Sequence, residues 1–257
     1  MESVTNEKAQ AWENVGGLFW TLGRMSARPS EAEISEFLTS IGDDSCVMVI
    51  GASTKDLVEA AAKVAARVVV LDFSARMIAD LGDSLPAGTA ELHVVDITQM
   101  PPQQLRGTAD FVLSDRLINR FTTSEAAAAL QSMLTLAKLG GQVCTSVKIG
   151  LYEMDHRMIE EAKRSGCLDA VWDAETKTID FGHSDEVLER AVLPHGDIPR
   201  EVLLSWYRGR KKETRFDRSD VLALLGQCQT AVEVIGVGPL PDAPSTDWFR
   251  LRRMRGV

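Results

Sequence analysis

Val47-Met-Val-Ile-Gly-Ala-Ser-Thr-Lys-Asp-Leu57 and Val68-Val-Val-Leu-Asp-Phe-Ser74 decide the fold of this chain. The first is a β-branched apolar run that ends in a small-residue turn and opens a helix. The second is another apolar run that ends in an acid, 21 positions after Gly51. A Rossmann-like sheet holds a nucleoside in this way: backbone approaches the ligand at the glycine, and a carboxylate takes the ribose hydroxyls. The turn reads G-A-S-T-K-D and not G-x-G-x-x-G. A pyrophosphate on the helix N-terminus needs more glycine than this, so a nucleoside without a diphosphate fits better.

Outward from that stretch, strands and helices alternate. Apolar runs predict strands at 46–50, 67–71, 91–95, 110–113 and 142–149. Helical spacing falls at 54–66, 74–81 and 124–137, with Gly140-Gly141 expected as the stop of the last. Ser30-Glu-Ala-Glu33 is a capping box, which predicts a helix over about 31–41. Alternation of this kind means βαβ units and a parallel sheet with helices on both faces. Ligands of such sheets lie outside the carboxyl ends of the strands. Gly51, Asp72, Asp96, Ser114 and Lys148 are therefore the positions to read.

Asp72 can accept both ribose hydroxyls or cap the helix that Phe73 and Ser74 open. Asp96-Ile97 is a similar strand end, where an acid can accept from an adenine amino group while Ile97 packs on the ring. The other reading of Asp96 is a turn aspartate.

Taken together, the Gly51 loop, Asp72-Phe-Ser, Asp96-Ile, Asp110-Phe-Val-Leu-Ser and Gly140-Gly-Gln-Val resemble the class I S-adenosylmethionine-dependent methyltransferases. The resemblance covers about 46–149 and the final strands. It implies an α/β fold with a Rossmann-like, seven-stranded, mostly parallel sheet whose last strand is antiparallel, and S-adenosylmethionine (SAM) over the ends of the first four strands. Cofactor contacts are expected at Gly51, Ala52 and Ser53, at Asp72, Phe73, Ser74 and Met77, at Asp96 and Ile97, and at Ser114 and Arg116. Arg116 or Arg24 could take the methionine carboxylate, against the alternative of an ion pair.

Around this core we expect four parts: an N-terminal helical cover (1–42), the SAM-binding core (43–149), a lid insertion after strand 5 (150–215), and a completing helix and strand pair (216–257). Trp12, Phe19, Trp20 and Met25 would form the cover and exclude water. Helices are expected over 151–165 and 198–207, and two short strands over 170–181, anchored by Trp172 and Phe181. Three residues are candidates for catalysis. Tyr152 could turn its ring to the sulfonium or pack under the lid, Asn119 could aim its amide oxygen there or cap a helix, and Asp180 is a possible base. His156, His183, Asp185 and His195 are further possible bases.

The reaction expected first is methyl transfer to a small acceptor in specialised metabolism. A weaker resemblance is to azetidine-2-carboxylate synthases, in which the α-amine of SAM attacks its own γ-carbon and expels methylthioadenosine. A third alternative is a SAM-fold protein that binds without methyl transfer.

Composition bounds the partners. The 257 residues are 45% hydrophobic and carry a net charge of −9, which argues against nucleic acid. A basic cluster at Arg208, Arg210, Lys211, Lys212, Arg215 and Arg218 reads as solvated faces around a helix end. Cys46, Cys144, Cys167 and Cys228 form no C-x-x-C pair, so a zinc site is not expected and a reducing cytoplasm suits them. No signal peptide and no apolar run of membrane length is read. The oligomeric state is open.

Overall fold

The computed structural model of the chain describes residues 4–17, 20, 29–194 and 198–255. One sheet dominates it, with strands β1 (Cys46–Ile50), β2 (Arg67–Asp72), β3 (Glu91–Val94), β4 (Ala109–Ser114), β5 (Ala137–Lys148), β9 (Val232–Pro239) and β10 (Thr246–Arg253). Their order is β3-β2-β1-β4-β5-β10-β9. β10 is antiparallel to both its neighbours, and the remaining described pairings are parallel. Chain order reverses between β1 and β4, which opens a crevice at their carboxyl ends, where ligands of open α/β sheets bind.

The apolar runs form strands because both sheet faces are covered, a condition that selects continuous rather than alternating hydrophobicity. All five residues of β1 are buried. One face packs on α5 (Thr123–Leu136) and α10 (Arg218–Gly226), with Leu130, Met133 and Val221 in the core. The other packs on α2 (Glu31–Leu38), α3 (Lys55–Ala61) and α4 (Ala75–Ser84), through Phe37, Leu57 and Met77. Ser30 caps α2 through the Glu33 backbone N–H, but the reciprocal half of the capping box is not made, because the Glu33 carboxylate pairs with Arg116.

Gly140-Gly141 does not stop a helix. α5 ends at Leu136 and β5 begins at Ala137, so the pair lies inside the strand, beside a register shift between Ala109 and Phe111. A Cβ on Gly141 would sit 2.9 Å from the Ala109 carbonyl oxygen. The glycine is there for close backbone approach and not for a helix end.

The segment after β5 forms its own layer over the crevice. It holds α6 (Glu153–Arg164), α7 (Leu168–Val171), α8 (Asp185–Ala191) and α9 (Arg200–Arg210), with a small antiparallel sheet of β6 (Trp172–Asp173), β7 (Thr178–Asp180) and β8 (Lys212–Thr214). Phe181 is wholly buried in this layer's core and Trp172 packs at its edge. The N-terminal helix α1 (Val4–Val15) lies against α9. That approach is close: a Cβ on Gly209 would fall 2.4 Å from the Cβ of Ala11. Among the described residues no helix is long and apolar enough to cross a membrane.

Candidate active site

A cavity of about 630 Å³ lies between the crevice and the overlying layer. That is the size of a ligand cleft, for which about 300–1,000 Å³ is typical. Its floor is the sequence-derived motif. Gly51 ends β1 at φ +107, a conformation that L side chains rarely adopt. The Thr54 hydroxyl donates to the Gly51 carbonyl at 2.9 Å and closes the turn that lacks further glycines. Gly51, Ser53 and Thr54 line the cavity. Ala52 lies beneath, fully buried, its carbonyl accepting from the Trp20 indole at 3.2 Å.

Asp72 and Phe73 line the same floor. The Asp72 carboxylate accepts from the Ala52 N–H and the Ser74 N–H, both at 2.7 Å. Each oxygen keeps lone-pair capacity for a hydroxyl. Burial pushes the carboxyl up to about 6, against the two backbone hydrogen bonds that lower it and with Glu13 adding repulsion. Helix capping, the other reading, belongs to the neighbouring Ser74, whose hydroxyl accepts from Met77 N–H at 3.1 Å and donates to Glu13. Ser74 and Met77 are buried behind the floor.

The remaining sequence-derived cofactor residues divide. Arg116 lines the cavity, with its guanidinium paired to Asp115 and Glu33, both at 2.8 Å. The ion-pair alternative therefore describes it, although the pair is largely buried rather than superficial. Ser114 is buried and donates to Thr145 at 2.7 Å. Asp96 does not line the cavity; its carboxylate accepts from the N–H and hydroxyl of Thr98, and Ile97 belongs to the core. The turn reading describes Asp96. Arg24, Phe19, Met25 and His195 lie outside the described residues.

Of the three catalytic candidates only Tyr152 lines the cavity. Its hydroxyl is buried without a hydrogen bond, and its ring has the guanidinium or ammonium groups of Arg120, Lys148 and Arg215 within 5.9 Å of its centre. Asn119 is turned away. Its amide accepts from the N–H of Lys148 and donates to the Lys148 carbonyl, both at 2.8 Å, and so clamps the end of β5. Asp180 sits in β7, where it accepts from the Gly182 N–H, and it does not line the cavity. His156, His183 and Asp185 are exposed, and none lines the cavity.

The basic cluster needs a correction. Arg210 and Arg215 are not solvated: they are 7% and 1% exposed. Arg215 donates twice to Asp155 at 2.6 and 2.9 Å, and once to Glu213 at 2.9 Å. Arg210 makes a two-pronged bond to Glu213 at 2.8 and 2.6 Å and stacks on Phe181 at 4.3 Å. Burial alone would raise the Glu213 carboxyl, but the charges of Arg210, Arg215 and Arg120 outweigh it and hold it far below the usual range. Arg120, Arg210, Glu213, Trp206, Tyr207 and Lys8 line the roof, and only Arg210 was noticed in the sequence. The available signal was a single acid, Glu213, set among the basic residues Arg210, Lys211, Lys212 and Arg215.

Trp12 of α1 also lines the cavity and meets Trp206 edge-on at 5.8 Å. Floor and carboxylate have the layout of a nucleoside site at the carboxyl ends of an α/β sheet.

Comparison with known proteins gives that layout a family. A model of the methyltransferase domain matches residues 48–145. A solved Rhodobacter sphaeroides protein is 46% identical over 97% of this chain and 99% of its own, with a TM-score of 0.93. It is named as a putative zinc-dependent alcohol dehydrogenase. Among the described residues here, no group of three or more His, Cys, Asp or Glu side chains is placed to hold a metal ion. The N-methyltransferase NodS of Bradyrhizobium japonicum, solved with S-adenosylhomocysteine (SAH), is 13% identical over 97% of this chain and all of its own, with a TM-score of 0.52. A SAM-dependent methyltransferase of Methanosarcina mazei is 14% identical over 87% and 97%, with a TM-score of 0.55. No curated protein matches in sequence.

Residues 48–145 match the methyltransferase-domain family, and the chain has the class I SAM-dependent methyltransferase fold, which implies SAM as the cofactor. The floor fits that group: Gly51 presents bare backbone, with only Ser53 Oγ within 4 Å of where a Cβ would sit, and Asp72 offers a carboxylate beside it.

Proposed function

We propose that the protein transfers the methyl group of SAM to a small molecule held under the roof of this cavity. One observation carries the reading. The cavity is continuous from the Gly51–Asp72 floor to the Tyr152–Trp206 roof, which supports a cofactor and an acceptor meeting in one cleft. When bound, SAM supplies an electrophilic methyl on a sulfonium. The protein's own part is to bind, orient and shield. Gly51, Ser53 and Asp72 hold the nucleoside end, Arg116 with Asp115 flanks the end of β4, and Trp12 with Trp206 keeps water out. Positioning of this kind contributes most of the rate in a bimolecular displacement. No general base is assigned, because the candidate bases among the described residues stand off the cavity.

Cyclisation of SAM is not advanced, since Asn119 and Asp180, two of the three catalytic candidates, are engaged elsewhere. The test is product analysis by mass spectrometry. Protein with SAM alone is expected to leave SAM intact, and protein with SAM and a metabolite extract to yield SAH and a methylated product. Methylthioadenosine formed from SAM alone would replace methyl transfer by cyclisation.

A further inference from the structure

The cationic side chains around the roof differ in how closely they are paired. Lys8 is satisfied by Glu125 at 2.6 Å, Arg116 by Asp115 and Glu33, and Arg157 by Glu153 at 2.6 Å. Beyond them lies a cluster of three arginines, Arg120, Arg210 and Arg215, with two carboxylates, Glu213 and Asp155. Arg215 takes both oxygens of Asp155, and Arg210 takes both oxygens of Glu213. Arg120 is left. Its nearest carboxylate oxygen is Glu213 Oε1 at 3.8 Å, beyond hydrogen-bond distance and already bonded to Arg210.

Arg120 lies inside the protein envelope, yet its side chain keeps 27% exposure because it lines the cavity. It is flanked by the Tyr152 ring at 5.9 Å and the Trp206 ring at 5.7 Å. Burial, and then the charge of Arg210, push its ordinary pKa down. Its guanidinium therefore lines the cavity with donor capacity that one long ion pair to Glu213 does not fill. A largely buried charge held by one long ion pair is incompletely compensated for its lost hydration. A guanidinium is also the side chain best shaped to take a carboxylate through two parallel N–H bonds.

We propose that the roof end of the cavity is a carboxylate-binding subsite, in which Arg120 takes the anionic group of an acceptor whose apolar body packs on Trp206 and Phe121. This rests on the methyl-transfer reading and names the substrate class for it. The anion restores neutrality to the arginine cluster. It also places a negative charge in the same space as a sulfonium. Arg120 is a binding residue here, and the acceptor is an organic carboxylate with an aromatic or aliphatic body.

The test is calorimetry on the full chain saturated with SAH, with phenylacetate as the probe and uncharged phenylacetamide as its match. Phenylacetate is expected to bind at least about tenfold more tightly than the amide, a difference of about 1.4 kcal/mol. In Arg120→Met that preference is expected to vanish, while SAH affinity stays within about threefold of wild type. Arg120→Lys keeps the charge without the fork and is expected to fall between them. The unliganded Arg120→Met protein is expected to melt at or above the wild-type temperature, because a largely buried cation is removed at the loss of only one 3.8 Å ion pair.

Equal binding of the two probes by the wild type, or binding of neither, overturns the subsite. So does a melting temperature several degrees lower in Arg120→Met, which would make the arginine a structural partner of Glu213. A loss of SAH affinity in Arg120→Met with methylthioadenosine affinity unchanged would give the anion to the cofactor's own carboxylate and overturn the acceptor assignment. A wild-type protein that binds no SAH fails the cofactor reading beneath the proposal, an outcome distinct from the others.

Discussion

Replacing Asp72 by Asn should separate the cost of this residue from its use. The ionised carboxylate is buried with no cationic partner, and its pKa stands at about 6 instead of 3.8. At 1.36 kcal/mol per pH unit, the charge destabilises the unliganded fold by roughly 3 kcal/mol near neutrality. A raised carboxyl pKa means that the folded state binds the proton more tightly. Unliganded stability from this group therefore rises as pH falls from about 6 towards 4. Asn relieves the charge, but it has one acceptor oxygen for the two backbone donors that Asp72 satisfies at 2.7 Å. One orphaned N–H costs about 1–3 kcal/mol. The two effects offset, so the melting temperature should move by less than about 5 °C, taking about 2–4 °C per kcal/mol at this size. Ligand affinity should behave differently. Losing an ionised acceptor for the ribose hydroxyls costs about 2–4 kcal/mol, or roughly 30- to 1,000-fold in Kd for SAH. Calorimetry between pH 5 and 8 should show wild-type affinity weakening below about pH 6, where a proton competes for Asp72, and a flat profile for Asp72→Asn. A variant that binds SAH within about threefold of wild type would refute the ribose assignment. A melting temperature lowered by more than about 10 °C would show that the carboxylate is a structural brace.

Three further outcomes follow from the geometry. Gly51→Ala should weaken SAH binding about tenfold or more by calorimetry, although the space is free, because φ +107 costs a side chain about 1–3 kcal/mol and the loop will shift to relieve it. Gly209→Val should overpack the contact with Ala11, costing about 1–3 kcal/mol and making α1 sensitive to limited proteolysis. The milder pair Gly209→Ala with Ala11→Gly should restore resistance. Asp155→Leu should cost about 3–5 kcal/mol, since Arg215 is then buried with only a share of Glu213, and melting should fall by roughly 10 °C. A fall under about 2 °C would mean that Glu213 suffices.

The floor of the site was legible because it is local. A buried strand, a glycine turn and an acid at the next strand end all lie between Val47 and Ser74, and burial on both faces writes β1 and β2 as plain apolar runs. The roof was not legible for the opposite reason. Arg215 and Asp155 are 60 positions apart, and nothing in either neighbourhood tells a buried arginine from a solvated one. β8 is Lys-Glu-Thr, a sequence with no apolar pattern, held in place by pairing with β7. Asn119 misled because an amide at a strand end serves a sulfonium or a backbone equally well, and only the position of Lys148 decides between them.

The contact of α1 with α9 has a consequence for how the molecule is made. The roof joins residues 4–15 to residues 200–210, so its first piece leaves the ribosome nearly the length of the chain before its partner. The strands β1 to β5 that carry the floor emerge well before α9 and pair largely with near neighbours in sequence, whereas closing the roof pays for a long loop. During synthesis α1 has no α9 to cover, and its Trp12 awaits Trp206. The floor can be assembled on a growing chain, but the roof is completed only once α9 has been made.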